Sequence, residues 1–301
     1  MATRSGIWHP RLRGHFAGSG SDRRARAYGR AALLSVAIAL AVAVLAAVAS
    51  RAADADSIIF LFQPERWRFW LAGTALAVAA GGLVAWLGPA RDLSAARDEV
   101  GLAFRPPAAP LVPTRPLLPA VATFGAVLLV SVYHSRAMIA VAPALLAPAL
   151  LATLVARYHL HDPAGAARRA ARTAHVLLTH GVAFLTLATI YINKVRSLLS
   201  ASTVALVACL LLLQLTDAEH YPAERRFIYG LVGGVILGEV TWALNYWPLT
   251  GWTGGALLLI AFYLAAGLIL AQTGEGLRRR DLLEYGAVGA IAFAIVAASL
   301  W

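Results

Sequence analysis

Nine runs of apolar residues follow one another from Ala31 to Leu300, each close to the ~20 residues that a helix needs to cross a hydrocarbon layer. They are Ala31–Ser50, Phe69–Gly88, Leu117–Tyr133, Ala137–Ala156, Ala174–Asn193, Leu198–Thr216, Phe227–Tyr246, Thr253–Gln272 and Leu282–Leu300. The connections between them are mostly short and polar. The pattern predicts an all-α polytopic transmembrane bundle of nine spans, forming a single domain over residues 31–301. Residues 1–30 carry seven arginines and no apolar periodicity, which predicts a disordered basic arm held near anionic headgroups. Arg23-Arg24 lacks the hydrophobic residue that should follow a twin-arginine export signal. Ala47-Val48-Ala49 resembles a signal cleavage site, and cleavage there would leave eight spans. The length of the arm and of the first run favours an uncleaved helix.

Inside the runs, the few polar residues are patterned. In the fifth run His175, Thr179, Thr186, Thr189 and Asn193 stand at offsets 0, 4, 11, 14 and 18, so they share one helical face. A polar stripe in lipid must face protein or a cavity. Interhelical hydrogen bonding is the simpler reading, and a substrate path is the alternative. His180 lies off this stripe and reads as a packing histidine, while Ser200, Thr203 and Gln214 form a smaller echo in the sixth run. Two prolines, Pro143 and Pro148, interrupt the fourth run and free the carbonyls of Ile139 and Ala144. Neighbouring helices can satisfy such groups, although broken helices also line transporter sites.

The seventh run holds the one carboxylate deep in an apolar stretch, Glu239. At 1.5 Å per residue it lies roughly 18 Å from Phe227, in the outer half of the layer. There it must be protonated or paired, and Lys194, the sole lysine, is a candidate partner. On a helical wheel Gly230, Gly234 and Gly238 gather on one side with Thr241 and Asn245, and Glu239 falls on the other. The glycines offer a close approach for a neighbouring helix. Since both faces need protein or water, this helix is expected to be enclosed and central. Trp242, Tyr246, Trp247 and Trp252 form an aromatic belt at its outer end.

Between the second and third runs, residues 89–119 begin with RDLSAARDEVGLAF, which has the spacing of a short interfacial helix. Proline then recurs at Pro107, Pro110, Pro113, Pro116 and Pro119, the three-residue repeat of polyproline II, and predicts a stiff cytoplasmic strap rather than a docking peptide.

Composition agrees with a bilayer protein: 60% of the 301 residues are hydrophobic and 14% charged, against ~25% charged in soluble domains, and the mean hydropathy is +0.70. The net charge of +11 gives no basic face for nucleic acid, because the arginines lie between apolar runs. Placing the N-terminus inside puts 20 of the 26 basic residues on cytoplasmic segments, so the expected topology is N-in, C-out in the plasma membrane. Cys209 alone allows no internal disulfide and no thiol metal site. His159, His161 and Asp162 stand close together in a basic loop but make a weak ligand set. No cofactor or metal is expected. The charged connections that hold Asp217, Glu219, His220, Glu224, Arg225 and Arg226, and Arg280 with Glu284, read as solvated anchors.

GEVTWALNYWPLTG, the following apolar helix with Tyr263, and RRRDLLEYG resemble an uncharacterised bacterial family of polytopic membrane proteins over residues 225–286. That resemblance implies a helix arrangement and no activity. Three function classes remain. The first is a non-catalytic scaffold, assembly subunit or lipid-interacting protein, with the bilayer and a membrane-protein partner or second copy as its contacts. The second is a small transporter using Glu239 and the stripe on the fifth helix. The third is an enzyme on a lipid-linked substrate, since Asp54 and Asp56 in the first outer loop are faintly similar to the acidic pair of polyprenyl-phosphate-dependent glycosyltransferases. HExxH and GxxxxGK[ST] do not occur, so the weight falls on the first class and against an enzyme.

Overall fold

The computed structural model describes residues 12–52, 67–88, 113–133, 135–161, 166–193, 197–216, 222–247, 249, 251–273 and 276–298. Nine helices account for nearly all of them: α1 Leu12–Ala52, α2 Trp67–Leu87, α3 Leu117–Tyr133, α4 Met138–His161, α5 Arg168–Ile192, α6 Ser197–Leu215, α7 Ala223–Asn245, α8 Gly251–Thr273 and α9 Arg279–Ala298. No strand occurs among the described residues. Eight of the nine helices are long and apolar enough to cross a membrane, and the exception is the 17-residue α3. The chain is a multi-pass helical membrane protein. A helix closes its own backbone hydrogen bonds, which is the condition for placing a chain in hydrocarbon.

The centre of the bundle is α3. Thirteen of its residues are buried, and α1, α2, α4, α5 and α6 all pack on it. Surrounded by protein rather than lipid, it is not held to a full bilayer length. The expectation of a central, fully enclosed seventh helix is overturned. α7 rests on α6 and α8, while Ile228, Leu231, Val232, Val235, Ile236 and Trp242 on its far side are exposed. One glycine-lined face is enough to fix α7 to the bundle, and nothing pulls its other face inward.

Small residues set the other seams. Ala27, Ala31, Ser35, Ile38, Val42, Ala46 and Ala49 are buried along α1, at steps of three and four residues. Ala142, Leu146, Leu150, Leu154 and Arg157 repeat the spacing on α4, the helix with which α1 packs. Both rows recur at a mean of about 3.7 residues, close to the eleven-residue period that keeps a seam straight or slightly right-handed rather than to the 3.5 of left-handed coiled coils. Pro143 and Pro148 lie inside α4 without ending it. α9 is the outermost element: it packs on α8 with Gly289 as its only buried residue among those described, facing Leu264, while Tyr285 lies over Gly267.

The basic arm differs from its expected disorder wherever it is described. α1 begins at Leu12, so residues 12–30 are helical. Extending an existing helix needs no new nucleus, and Ala and Arg extend it well. Tyr28 also fixes this stretch: its ring meets Tyr158 edge-on at 6.0 Å and its hydroxyl lies 2.8 Å from His159 Nε2. Residues 1–11, the interfacial-helix segment RDLSAARDEVGLAF and most of the strap lie outside the described residues.

Candidate functional site

Side-chain contacts sort the helix ends into two groups. One end of the bundle collects Tyr28 with His159, Arg157 with Thr114 and Gln214, and Arg226 with Thr216. It also carries the exposed Arg168, Arg169 and Arg172 of α5 and Arg278, Arg279 and Arg280 before and within α9. The opposite end collects Asn193 with Ser131, Asn245 with Ser200, and Tyr191 with Leu244, together with the exposed Trp67, Trp242, Tyr246, Trp247 and Trp252. We refer to these as the arginine-rich and aromatic ends.

The polar stripe of α5 runs from one end to the other and faces inward. His175 is 4% exposed, Thr179, Thr186 and Thr189 are 0% exposed, and Asn193 is half-buried. Most of these groups bond to nearby protein. Thr179 Oγ1 donates to His175 O at 2.8 Å, and Thr189 Oγ1 to Leu185 O at 2.6 Å. Asn193 Nδ2 donates to Thr189 O at 3.0 Å and reaches Ser131 Oγ of α3 at 3.4 Å. Thr186 Oγ1 has no hydrogen-bond partner among the described residues. It borders a cavity of about 30 Å³ between α3, α4 and α5, otherwise lined by apolar residues that include Ala122, Leu129, Leu146 and Val182. That space suits about one water rather than a solute, for which binding pockets run to roughly 300 Å³ or more. His180 sits apart from the stripe: its Nδ1 is 2.8 Å from Val176 O, and its ring packs edge-on against Phe262 and Tyr263.

At the arginine-rich end the stripe joins a buried cation. Arg157, only 4% exposed, donates from Nη1 to Thr114 O, Arg115 O and Gln214 Oε1, each at 3.2 Å. Gln214 Nε2 in turn lies 3.5 Å from His175 Nε2. The three acceptors gather around one guanidinium nitrogen and share its two hydrogens. Here it holds the end of the proline strap, Thr114–Arg115, to the ends of α4 and α6. Sequence reasoning missed Arg157 by ending the fourth helix at Ala156 and counting this residue with the loop. The available signal was spacing, since Arg157 continues the buried row Leu146, Leu150, Leu154.

The two faces of α7 differ sharply. A Cβ added to Gly230 would lie 2.9 Å from Leu213 Cγ, and one on Gly234 would lie 2.5 Å from Ala205 O and 2.8 Å from Cys209 Cβ. On Gly238 it would come within 3.0 Å of Ala205 Cβ. The glycines therefore fit a ridge of Ala201, Ala205, Cys209 and Leu213 on α6. Thr241 is buried and bonds to Leu237 O, and Asn245 Nδ2 donates to Ser200 Oγ at 2.9 Å. Glu239 points the other way: it is exposed on the outside of the bundle and makes no hydrogen bond or ion pair with a described residue.

Several candidates are not brought together. Lys194, Asp54, Asp56, Asp162 and residues 217–221 lie outside the described residues, as does the side chain of His161. No group of three or more His, Cys, Asp or Glu side chains that could hold a metal occurs among the described residues. Tyr191 emerges instead as an organising residue of the aromatic end. It is 1% exposed, its ring covers Gly254 of α8, and its hydroxyl donates to Leu244 O of α7 at 2.9 Å.

No curated protein matches the chain, and no solved structure matches it. A family model described as a protein of unknown function, DUF5656, matches residues 60–299. That stretch contains eight of the nine helices, α2 to α9, and the chain therefore belongs to the DUF5656 family.

Proposed function

We propose that this chain is a non-catalytic assembly or scaffold subunit of the plasma membrane, with its arginine-rich end in the cytoplasm. The observation that carries this reading is the way the α5 stripe is used. The hydroxyls of Thr179 and Thr189 bond back to carbonyls of α5 itself, while Asn193 reaches Ser131 of α3 and His175 adjoins Gln214 of α6, so the stripe is used inside the bundle and links α5 to its neighbours at its two ends. Orientation follows from the positive-inside rule applied to the two ends. N-in, C-out places the aromatic belt and Glu239 toward the outer leaflet.

The experiment compares membrane complexes from cells with and without the chain, resolved on native gels in mild detergent. A scaffold's loss removes at least one complex, and the triple variant Thr179→Val, Thr189→Val, Asn193→Leu restores that complex whenever it folds. Unchanged complexes, together with a solute uptake that depends on the same three residues, would replace this reading with transport.

A further inference from the structure

We infer that the outward face of α7 is a docking surface for a transmembrane helix of another protein, and that this helix carries a lysine or arginine at the depth of Glu239. The inference deepens the scaffold reading and rests on it. Val232, Val235, Ile236, Glu239, Trp242 and Ala243 are all exposed on this face and recur at three- and four-residue steps. The stripe is therefore about 16 Å long, a contact that one crossing helix could cover. Apolar exposure alone would only mean lipid. Glu239 is what lipid does not explain, since a carboxylate in hydrocarbon is costly unless a cation or a proton accompanies it.

Three features of the chain select the occupant. First, α7 packs on α6 and α8 through its glycine side, so its own neighbours leave the acid facing out. Second, Ala243, one turn beyond Glu239, presents only a methyl group and leaves room for a partner backbone beside the acid. Third, charge argues against a second copy. In one membrane a two-fold dimer through this face sets Glu239 against Glu239 at equal depth, which is repulsive. An offset contact between copies has no matching cation among the described residues either. Arg51, Arg68 and Arg136 at the aromatic end all sit at or beyond helix ends, whereas Glu239 is six residues inside α7, roughly 9 Å deeper.

The experiment introduces a photo-crosslinking p-benzoylphenylalanine at Val235 or Trp242 in the full chain, irradiates native membranes and sequences the crosslinked peptides. The expected product is a transmembrane peptide of a different protein with Lys or Arg within about one helical turn of the crosslink. Glu239→Leu should lower its yield at least tenfold, and the shape-conserving Glu239→Gln several-fold. Reversing the partner's cation to Glu should restore the yield with Glu239→Arg. Crosslinks to a second copy, or to lipid alone, overturn the inference. A foreign helix with no cation overturns it while leaving the scaffold reading standing. Absence of any protein crosslink, both here and from Leu206, Leu40 and Ile291 on other exposed faces, overturns both.

Discussion

The two faces of α7 are built from the same short stretch and treated in opposite ways. On one side a methyl group on Gly234 would collide with α6, and one on Gly230 or Gly238 would press tightly against it. On the other, Glu239 stands among exposed Val235, Ile236 and Trp242 with no hydrogen-bond or ion-pair partner among the described residues. The difference separates what holds this helix from what it offers. In a bilayer helices gain little from hiding apolar area from one another, so close packing and hydrogen bonds must hold them. The glycine face supplies both, with Asn245 to Ser200 at the aromatic end. The acid face supplies neither.

The largest effect should come from filling the closed face. Gly234→Leu places a whole side chain where Ala205 O and Cys209 Cβ already stand, so α6 and α7 must part. Overpacking of this kind costs about 3 kcal/mol or more, and the variant should lose its thermal transition in nanodiscs or fail to yield a monodisperse protein. Gly82→Ala on α2, where an added Cβ meets nothing within 4 Å, is the control and should melt no lower than the parent. Equal behaviour of the two would break the distinction between closed and open faces.

Arg157→Met comes next and asks whether an enclosed charge follows the same rule. Arg157 is enclosed by three acceptors, whereas Glu239 has no partner among the described residues. Removing the guanidinium leaves two carbonyls and the Gln214 amide without that donor, a loss of about 2 kcal/mol. It should also free the strap, giving faster proteolysis near Thr114. Arg157→Lys should restore resistance in part, because the three acceptors surround a single nitrogen and an ammonium carries three hydrogens.

The nine helices were legible because uninterrupted apolar runs near the length of a span mark helices in a membrane chain. Which helix lies at the centre was not legible. α3 is the shortest and most apolar of the helices, but neither property separates a helix surrounded by protein from one surrounded by lipid. Its burial depends on which helices surround it, and that is information about pairs rather than about one segment. Glu239 misled for a related reason. Its chemistry requires a proton or a cation, but sequence does not say whether that companion belongs to the same chain. Arg157 was hidden by a boundary, since a single added turn of α4 moves it from loop to core.

A smaller effect is expected from Tyr191→Phe, which deletes the hydroxyl donated to Leu244 O while keeping the ring over Gly254. The carbonyl remains within α7's own last turn, so the loss should be about 0.6 kcal/mol, the average for interhelical bonds in membranes. Unfolding in mixed micelles at graded denaturant would resolve it. Tyr191→Ala should cost several times more, because it removes the packing as well. A Phe variant as damaged as the Ala variant would show that the hydroxyl rather than the ring fastens the aromatic end.

The smallest effect on the isolated chain should come from the residue expected to matter most in the assembled membrane. Glu239→Leu removes no bond within the described structure and adds apolar area to a face that is already apolar. Replacing a carboxylate by leucine in hydrocarbon is favourable on insertion scales by roughly 3 kcal/mol. Some of this appears in insertion rather than in unfolding within the bilayer, because the acid faces lipid in both folded and unfolded helices. The purified variant should therefore melt at or slightly above the parent temperature and run at the same size. If it instead melts several degrees lower, Glu239 is holding the chain itself together, and the two faces of α7 do the same work. If it melts unchanged while its native complex is lost, the acid serves a contact outside the chain.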